Sequence, residues 1–158
     1  MIPLPSPHDR LLDGLFNRLF AIPQREGELD FLAGRSVLLR HATLPVGLRI
    51  EREQTPLGAR LRVRRHSPFS AARADLTIRA PLAGYLHLIA RDRDADTLFF
   101  QRVLCMEGDT DLGLRVKNLL DGLDLDDVPL GAQLQRAGTR LLRLLDALRR
   151  PPTPRTVG

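Results

Sequence analysis

Asp96-Thr97-Leu98-Phe99-Phe100-Gln101-Arg102-Val103-Leu104-Cys105-Met106-Glu107-Gly108-Asp109-Thr110-Asp111-Leu112-Gly113-Leu114-Arg115-Val116-Lys117-Asn118-Leu119-Leu120-Asp121 changes its hydrophobic period twice. A short helix fits residues 94–101. Val103 to Glu107 then reads as a strand that stops at Gly108, and Asp109 offers a side-chain oxygen to cap a second helix. Leu112, Val116, Leu119, Leu120 and Leu123 recur at spacings of three, four and seven, which predicts that this helix is amphipathic. Asp111 in its first turn suits the positive end of the helix dipole. Cys105, inside the apolar run 103–106, is expected to be a buried and inert thiol.

Upstream the period is two. Val46, Leu48 and Ile50 alternate with Gly47, Arg49 and Glu51, and Ala59, Leu61 and Val63 alternate with Arg60, Arg62 and Arg64. The turn-rich link 54–58 makes these a hairpin. Ser36 to Ala42 and Asp75 to Arg79 supply further strands, giving an antiparallel sheet with one wet face. Arg60, Arg62, Arg64 and Arg65 are placed on that face. Two readings stand for them: a phosphate-binding patch, or cross-strand pairing with Glu51 and Glu53.

Helices flank the sheet in sequence. A proline-rich opening leads to Leu11, Leu12, Leu15, Phe16, Leu19 and Phe20 at helical spacing, with Asp13, Asn17 and Arg18 on the far side and Pro23 as the stop. After the sheet, Pro81 starts a helix whose stripe is Leu82, Tyr85, Leu86 and Ile89. Leu130 to Arg150 is a second strongly amphipathic segment. Leu134, Ala137, Leu141, Leu144, Leu145 and Leu148 are its apolar residues, with Leu142 widening the face; Arg136, Arg140, Arg143, Arg149 and Arg150 are its cations. It can cap the domain, pack on a partner or lie on an anionic membrane. Residues 151–158 are expected to be disordered.

The 158 residues are 43% hydrophobic and 27% charged, near the globular averages of about 45–50% and 25%. That excludes a disordered chain and a collagen, and one cysteine excludes a disulfide scaffold. Formal net charge is +5, and every cation but Lys117 is arginine. The charge is uneven: residues 107–127 hold seven acids against two cations, and residues 130–155 hold six arginines against Asp146. Aromatics are 4% with no Trp, so nucleic acid is not an expected partner. The longest stretch free of charged side chains is Ala80 to Ala90, far short of the roughly 20 residues a membrane span needs. No secretory signal is read at the N-terminus, so the expected location is cytoplasmic, with membrane association through the terminal helix as an open extension.

No catalytic constellation emerges. His8, His41, His66 and His87 are scattered without metal-ligand spacing, and no nucleophile elbow, phosphate loop or dinucleotide fingerprint is present. The acidic run 121–127 fails as a calcium loop, because glycine sits second and Ala132 occupies the twelfth position. No cofactor or metal is expected.

The run from Asp96 to Asp121 resembles the C-terminal signature of the sterol carrier protein type 2 family: aromatic pair and Gln, short strand, Gly, then a helix carrying Lys117-Asn118-Leu119. The blocks Asp96 to Arg102 and Glu107 to Thr110 make it most similar to that family's bacterial ubiquinone biosynthesis branch. The resemblance implies an α+β fold, a small mixed and mostly antiparallel sheet covered on one face by helices, enclosing an apolar lipid tunnel. It divides the chain into a lead-in helix (1–34), a lipid-binding domain (35–127), a basic terminal helix (128–150) and a tail (151–158). It also implies a non-enzymatic accessory factor in the oxygen-independent route to ubiquinone. Such a factor would bind prenylated quinone intermediates or phospholipid beside the UbiU–UbiV hydroxylase and other ubiquinone enzymes. The alternative is an interaction module with a filled core.

A polyprenyl tail calls for a greasy site with few polar groups. One wall is expected from Leu98, Phe99, Phe100, Leu104, Met106, Leu112, Val116, Leu119 and Leu120. The other is expected from Leu61, Val63, Leu82, Tyr85 and Leu86, with the Tyr85 hydroxyl offered to a ring oxygen. Membrane docking is assigned to Arg136, Arg140, Leu141, Arg143, Leu144 and Leu148.

Overall fold

Ser6 opens the first helix, α1 (Pro7–Leu19), with a reciprocal cap. Its hydroxyl accepts the Asp9 N–H at 3.2 Å and the Asp9 carboxylate accepts the Ser6 N–H at 3.1 Å, satisfying two donors that a helix start leaves free. The computed structural model describes residues 6–67, 70, 72–128 and 130–150, so the tail expected to be disordered lies outside the described residues. The helix does not stop at Pro23. It breaks at Phe20 and restarts as α2 (Ala21–Arg25), where Pro23 sits in the first turn and has no intrahelical N–H bond to lose. A single 3-10 turn at Asp30–Leu32 follows, burying Leu29 and Leu32.

The strands are β1 (Ser36–His41), β2 (Gly47–Thr55), β3 (Gly58–His66) and β4 (Leu76–Ala80). Then come α3 (Leu82–Ala90), α4 (Ala95–Phe100), β5 (Cys105–Gly108), α5 (Thr110–Gly122) and α6 (Gly131–Arg149). Pro81 caps α3 from outside instead of forming its first residue. The sheet order is β3-β2-β1-β4-β5, with β1 parallel to β4 and the other pairs antiparallel. The fold is therefore α+β with a mixed, mostly antiparallel sheet. Register places Val63, Ile50, Val37 and Leu76 in one row across four strands, and these form the core with Leu61, Ile78, Leu98, Leu104, Leu112 and Val116.

The opposite face is polar. Glu53 takes Arg60 at 2.9 Å and Arg62 at 2.6 Å across the hairpin, while Glu51 pairs with Arg49 of its own strand at 2.7 Å. Arg65 is the exception among the four arginines: strand parity puts it on the side of Leu61 and Val63, at the exposed end of β3. Arg64 pairs with Asp13 of α1 at 3.2 Å.

That last contact belongs to an arrangement the helical period hides. The polar side of α1 does not face water; it lies along the free edge of β3. Asn17 donates to the Leu61 carbonyl at 2.7 Å and accepts the Leu61 N–H at 2.8 Å, and Asp13 accepts the Val63 N–H at 2.6 Å. Four residues of helix rise about 6 Å and two residues of strand about 6.8 Å, so an i, i+4 pair matches alternate strand residues. The helix thus extends the hydrogen-bond ladder and closes an edge that would otherwise be open to another chain.

At the other edge, Cys105 is exposed, contrary to the expected burial. It pairs with Arg79 on β4 and so faces out with the polar residues, while its neighbours Leu104 and Met106 pack towards the core. The terminal helix also seats differently from its leucine stripe. Gly131, Gly138, Leu142 and Leu145 face inward, and Leu142 and Leu145 pack with Leu86 and Ala90 of α3. A Cβ on Gly138 would stand 3.0 Å from Ile89 Cγ2 and 3.3 Å from the Ala90 nitrogen, so the glycine sets how closely the two helices approach.

Asp75 joins β1 to β4 by accepting the Ser36 N–H at 2.7 Å and the Ser36 hydroxyl at 3.0 Å, which holds its carboxyl below the usual range. Asp9, Glu53 and Asp94 are shifted the same way, by Ser6, Arg60 and Thr97 respectively. The unfolded chain therefore takes up protons first as the pH falls. We expect stability to be level from neutral pH to about 5 and to decline below about 4. Thermal melts across that range should show a shallower acid decline for Asp75→Asn than for the native chain.

Candidate functional site

Leu39 and Ile78, paired neighbours on β1 and β4, form the floor of an apolar cavity of about 230 Å³. Leu15, Phe16, Leu19 and Phe20 wall one side, with the two phenyl rings stacked 6.2 Å apart. Tyr85, Leu88 and Ile89 of α3 form another side, and Leu104, Leu120, Leu123, Leu125 and Leu134 complete it. Both terminal helices thus contribute to a space whose floor is the sheet.

Two polar side chains reach the lining. The Tyr85 hydroxyl is already engaged, donating between the carbonyl oxygens of Arg40 at 2.7 Å and Ile78 at 3.0 Å. Burial pushes its pKa up to about 12. It therefore anchors α3 to the sheet, and its expected role as a donor to a ring oxygen is not available in this arrangement. Arg91 is the second. It sits in the left-handed conformation at the end of α3 (φ 57°) and directs its guanidinium to the Leu120 and Asp121 carbonyls at 3.3 and 3.5 Å, where the negative end of α5 favours a cation. Among the described residues it has no carboxylate partner.

A second hollow of about 320 Å³ opens between α4, β5 and α5, lined by Phe99, Phe100, Met106 and Leu114 and rimmed by the Lys117–Asp96 pair at 2.7 Å. The two spaces share no lining residue. The residues assigned from sequence divide among them. Tyr85, Leu104 and Leu120 line the first; Phe99, Phe100 and Met106 line the second. Leu61, Val63, Leu98, Leu112 and Val116 fill the core, with Leu119 packed against it, and Leu86 lies in the α3–α6 contact. Leu82 is exposed. Sequence reading missed Leu15, Leu19, Leu39, Ile78, Leu123 and Leu134, whose patterns announce burial and say nothing of a void. Arg91 had no distinguishing signal among the other arginines. All six residues assigned to membrane docking are exposed on α6.

Chemically, the first cavity can hold an apolar molecule and orient one polar end at Arg91. Among the described residues no cluster of His, Cys, Asp and Glu could hold a metal, and no helix is long and apolar enough to cross a membrane. The SCP-2 sterol transfer family profile matches residues 16–121, from within α1 to the last turns of α5. The chain belongs to the SCP-2 sterol transfer family. Within this SCP-2 group it is 37% identical over 123 residues to the ubiquinone biosynthesis accessory factor UbiT of Escherichia coli strain K12, and equally to that of Escherichia coli O157:H7. The match covers 77% of this chain, which spans about 62% of the length of those curated relatives. Among solved structures, the UbiJ-SCP2 ubiquinone synthesis protein superposes with a TM-score of 0.55 at 19% identity, covering 81% of this chain and 100% of that one. It shares the SCP-2 fold. The helix α6 lies beyond the matched SCP-2 segment.

Proposed function

We propose that this chain is a lipid-binding accessory protein of ubiquinone biosynthesis that carries out no chemistry itself. It takes the apolar tail of a prenylated quinone intermediate into the cavity between α1, α3, α5 and the sheet, and leaves the ring at the mouth for modifying enzymes of the oxygen-independent route. The 35–127 unit supplies the floor and most of the wall; the lead-in helix (1–34) and the terminal helix (128–150) act as covers. The observation that carries this reading is the cavity itself, apolar throughout except for Tyr85 and Arg91, in a chain 37% identical to UbiT.

The physical case is one of area and position. Each Å² of apolar tail removed from water contributes about 25 cal/mol, and the lining apart from Tyr85 and Arg91 is hydrocarbon. Arg91 at the rim can donate to a ring oxygen, which fixes the direction of entry. At about 230 Å³ the cavity is below the roughly 300–1,000 Å³ typical of small-ligand sites, so loading requires the covering helices to part. Native mass spectrometry of the protein purified from cells grown without oxygen should show a prenylquinone or its precursor in one-to-one complex. A preparation that is consistently empty, and that takes up neither prenylquinone nor phospholipid when offered, rejects the proposal.

A further inference from the structure

Many of the strand arginines are ion-paired, whereas those of the last helix are not. On the sheet, Arg49, Arg60, Arg62, Arg64 and Arg79 each meet a carboxylate within 3.7 Å. On α6, Arg136, Arg140, Arg143 and Arg149, with Arg150 just past its end, meet none among the described residues. The formal charge of +5 is thus least compensated on this helix.

The same helix carries an apolar row that, past its first member, is left open among the described residues. Leu134, Ala137, Leu141, Leu144 and Leu148 recur at alternating steps of three and four, so they form one continuous row. Because α6 is seated through Gly131, Gly138 and Leu142, this row is turned away from α3, and Leu141, Leu144 and Leu148 are 49%, 56% and 75% exposed. Its first member, Leu134, lines the cavity. The row therefore leads from the cavity outward along the helix. Across the cavity Leu11, one turn before the lining residue Leu15, is exposed in the same way.

We propose that this face of α6 lies on an anionic bilayer surface. The leucine row enters the boundary between headgroups and acyl chains, and Arg140 beside it, with Arg136 and Arg143 further round the helix, reaches up to lipid phosphates. Charge selects this occupant over a second copy of the chain, since pairing two such rows would bring arginine against arginine. The sole acid on the helix, Asp146, lies off the row and relieves little of that repulsion. The docked orientation sets the cavity mouth against the acyl layer, so that a tail passes from bilayer to protein without crossing water. This consequence rests on the carrier reading; the surface contact itself does not.

The test uses the full chain and phosphatidylcholine vesicles with and without phosphatidylglycerol. Binding should require phosphatidylglycerol and weaken with salt. At about fivefold per arginine near the surface, Arg136→Gln, Arg140→Gln and Arg143→Gln together should weaken it by roughly a hundredfold. Leu141→Gln, Leu144→Gln and Leu148→Gln together should abolish it, and melting temperatures should hold because these side chains are exposed. Equal binding to neutral vesicles overturns the proposal, as does native affinity in the leucine variant. A dimer lost in that variant overturns it too, by making the row a protein seam. Uptake of a water-soluble short-chain quinone, measured without vesicles, should survive both triple substitutions. A native chain that binds vesicles but takes up no quinone refutes the carrier reading and leaves the docking intact.

Discussion

Asn17→Leu is expected to lower the unfolding free energy by roughly 2–6 kcal/mol, a large part of the 5–15 kcal/mol that holds a typical domain together. Leucine is close to asparagine in size, so packing along α1 is kept and the amide alone is removed. What is lost is the amide's bonds to the Asp13 carbonyl and from Gln24 and, above all, both bonds to Leu61, whose residue is only 2% exposed and whose N–H and C=O then have no partner in the fold. Each unsatisfied group costs about 1–3 kcal/mol. For a chain of this length the melting temperature should fall by on the order of 10 °C. Asp13→Asn provides the comparison. It keeps an oxygen for the Val63 N–H and loses the pairing with Arg64, an effect of about 1 kcal/mol or less. Urea unfolding of the two variants should rank Asn17→Leu as clearly the more damaging. Equal losses would mean that the Asn17 bonds to the strand edge add little beyond helix packing. An uncapped β3 should also associate at high concentration, because its freed ladder groups seek another strand.

The same residue shows where sequence reading stops. In a one-dimensional pattern, Asp13 and Asn17 are the polar side of an amphipathic helix and look solvated; only the placement of α1 along β3 turns them into ladder partners. Period-two alternation located the hairpin because half-burial is imposed residue by residue, and Arg60, Arg62 and Glu53 met across it as parity requires. Parity also explains Cys105. Its apolar neighbours made the run look buried, yet one residue in two on an edge strand must face outward. In α6 the leucine stripe was legible, but the packed face is marked by two glycines and Leu142, because close approach to α3 needs small residues. The cavity was the least legible feature. A side chain that lines a void and one that fills a core have the same composition, so Leu61 and Leu104 read alike although only Leu104 reaches the cavity.

That ambiguity makes the cavity the sharpest target for substitution. Leu15→Trp combined with Leu123→Trp places two indoles from facing walls into about 230 Å³ of apolar space. Both positions are half-buried, so the added atoms grow into the void and the mouth instead of into close-packed neighbours. Removing void contributes roughly 24 cal/mol per Å³, and filling even a quarter of this one adds about 1 kcal/mol of stability. The double variant is therefore expected to melt at or above the native temperature while the lipid recovered from it falls at least tenfold. Opposed changes of this kind are characteristic of a cavity kept open for a ligand, since a site built for stability would already be filled. Phe100→Ser, on the 77% exposed rim of the second hollow, separates the two spaces. If it empties the protein and the tryptophan pair does not, the ligand belongs between α4 and α5. If lipid content follows the tryptophans alone, the tail occupies the space over Leu39 and Ile78, directly beneath the helices that must part to admit it.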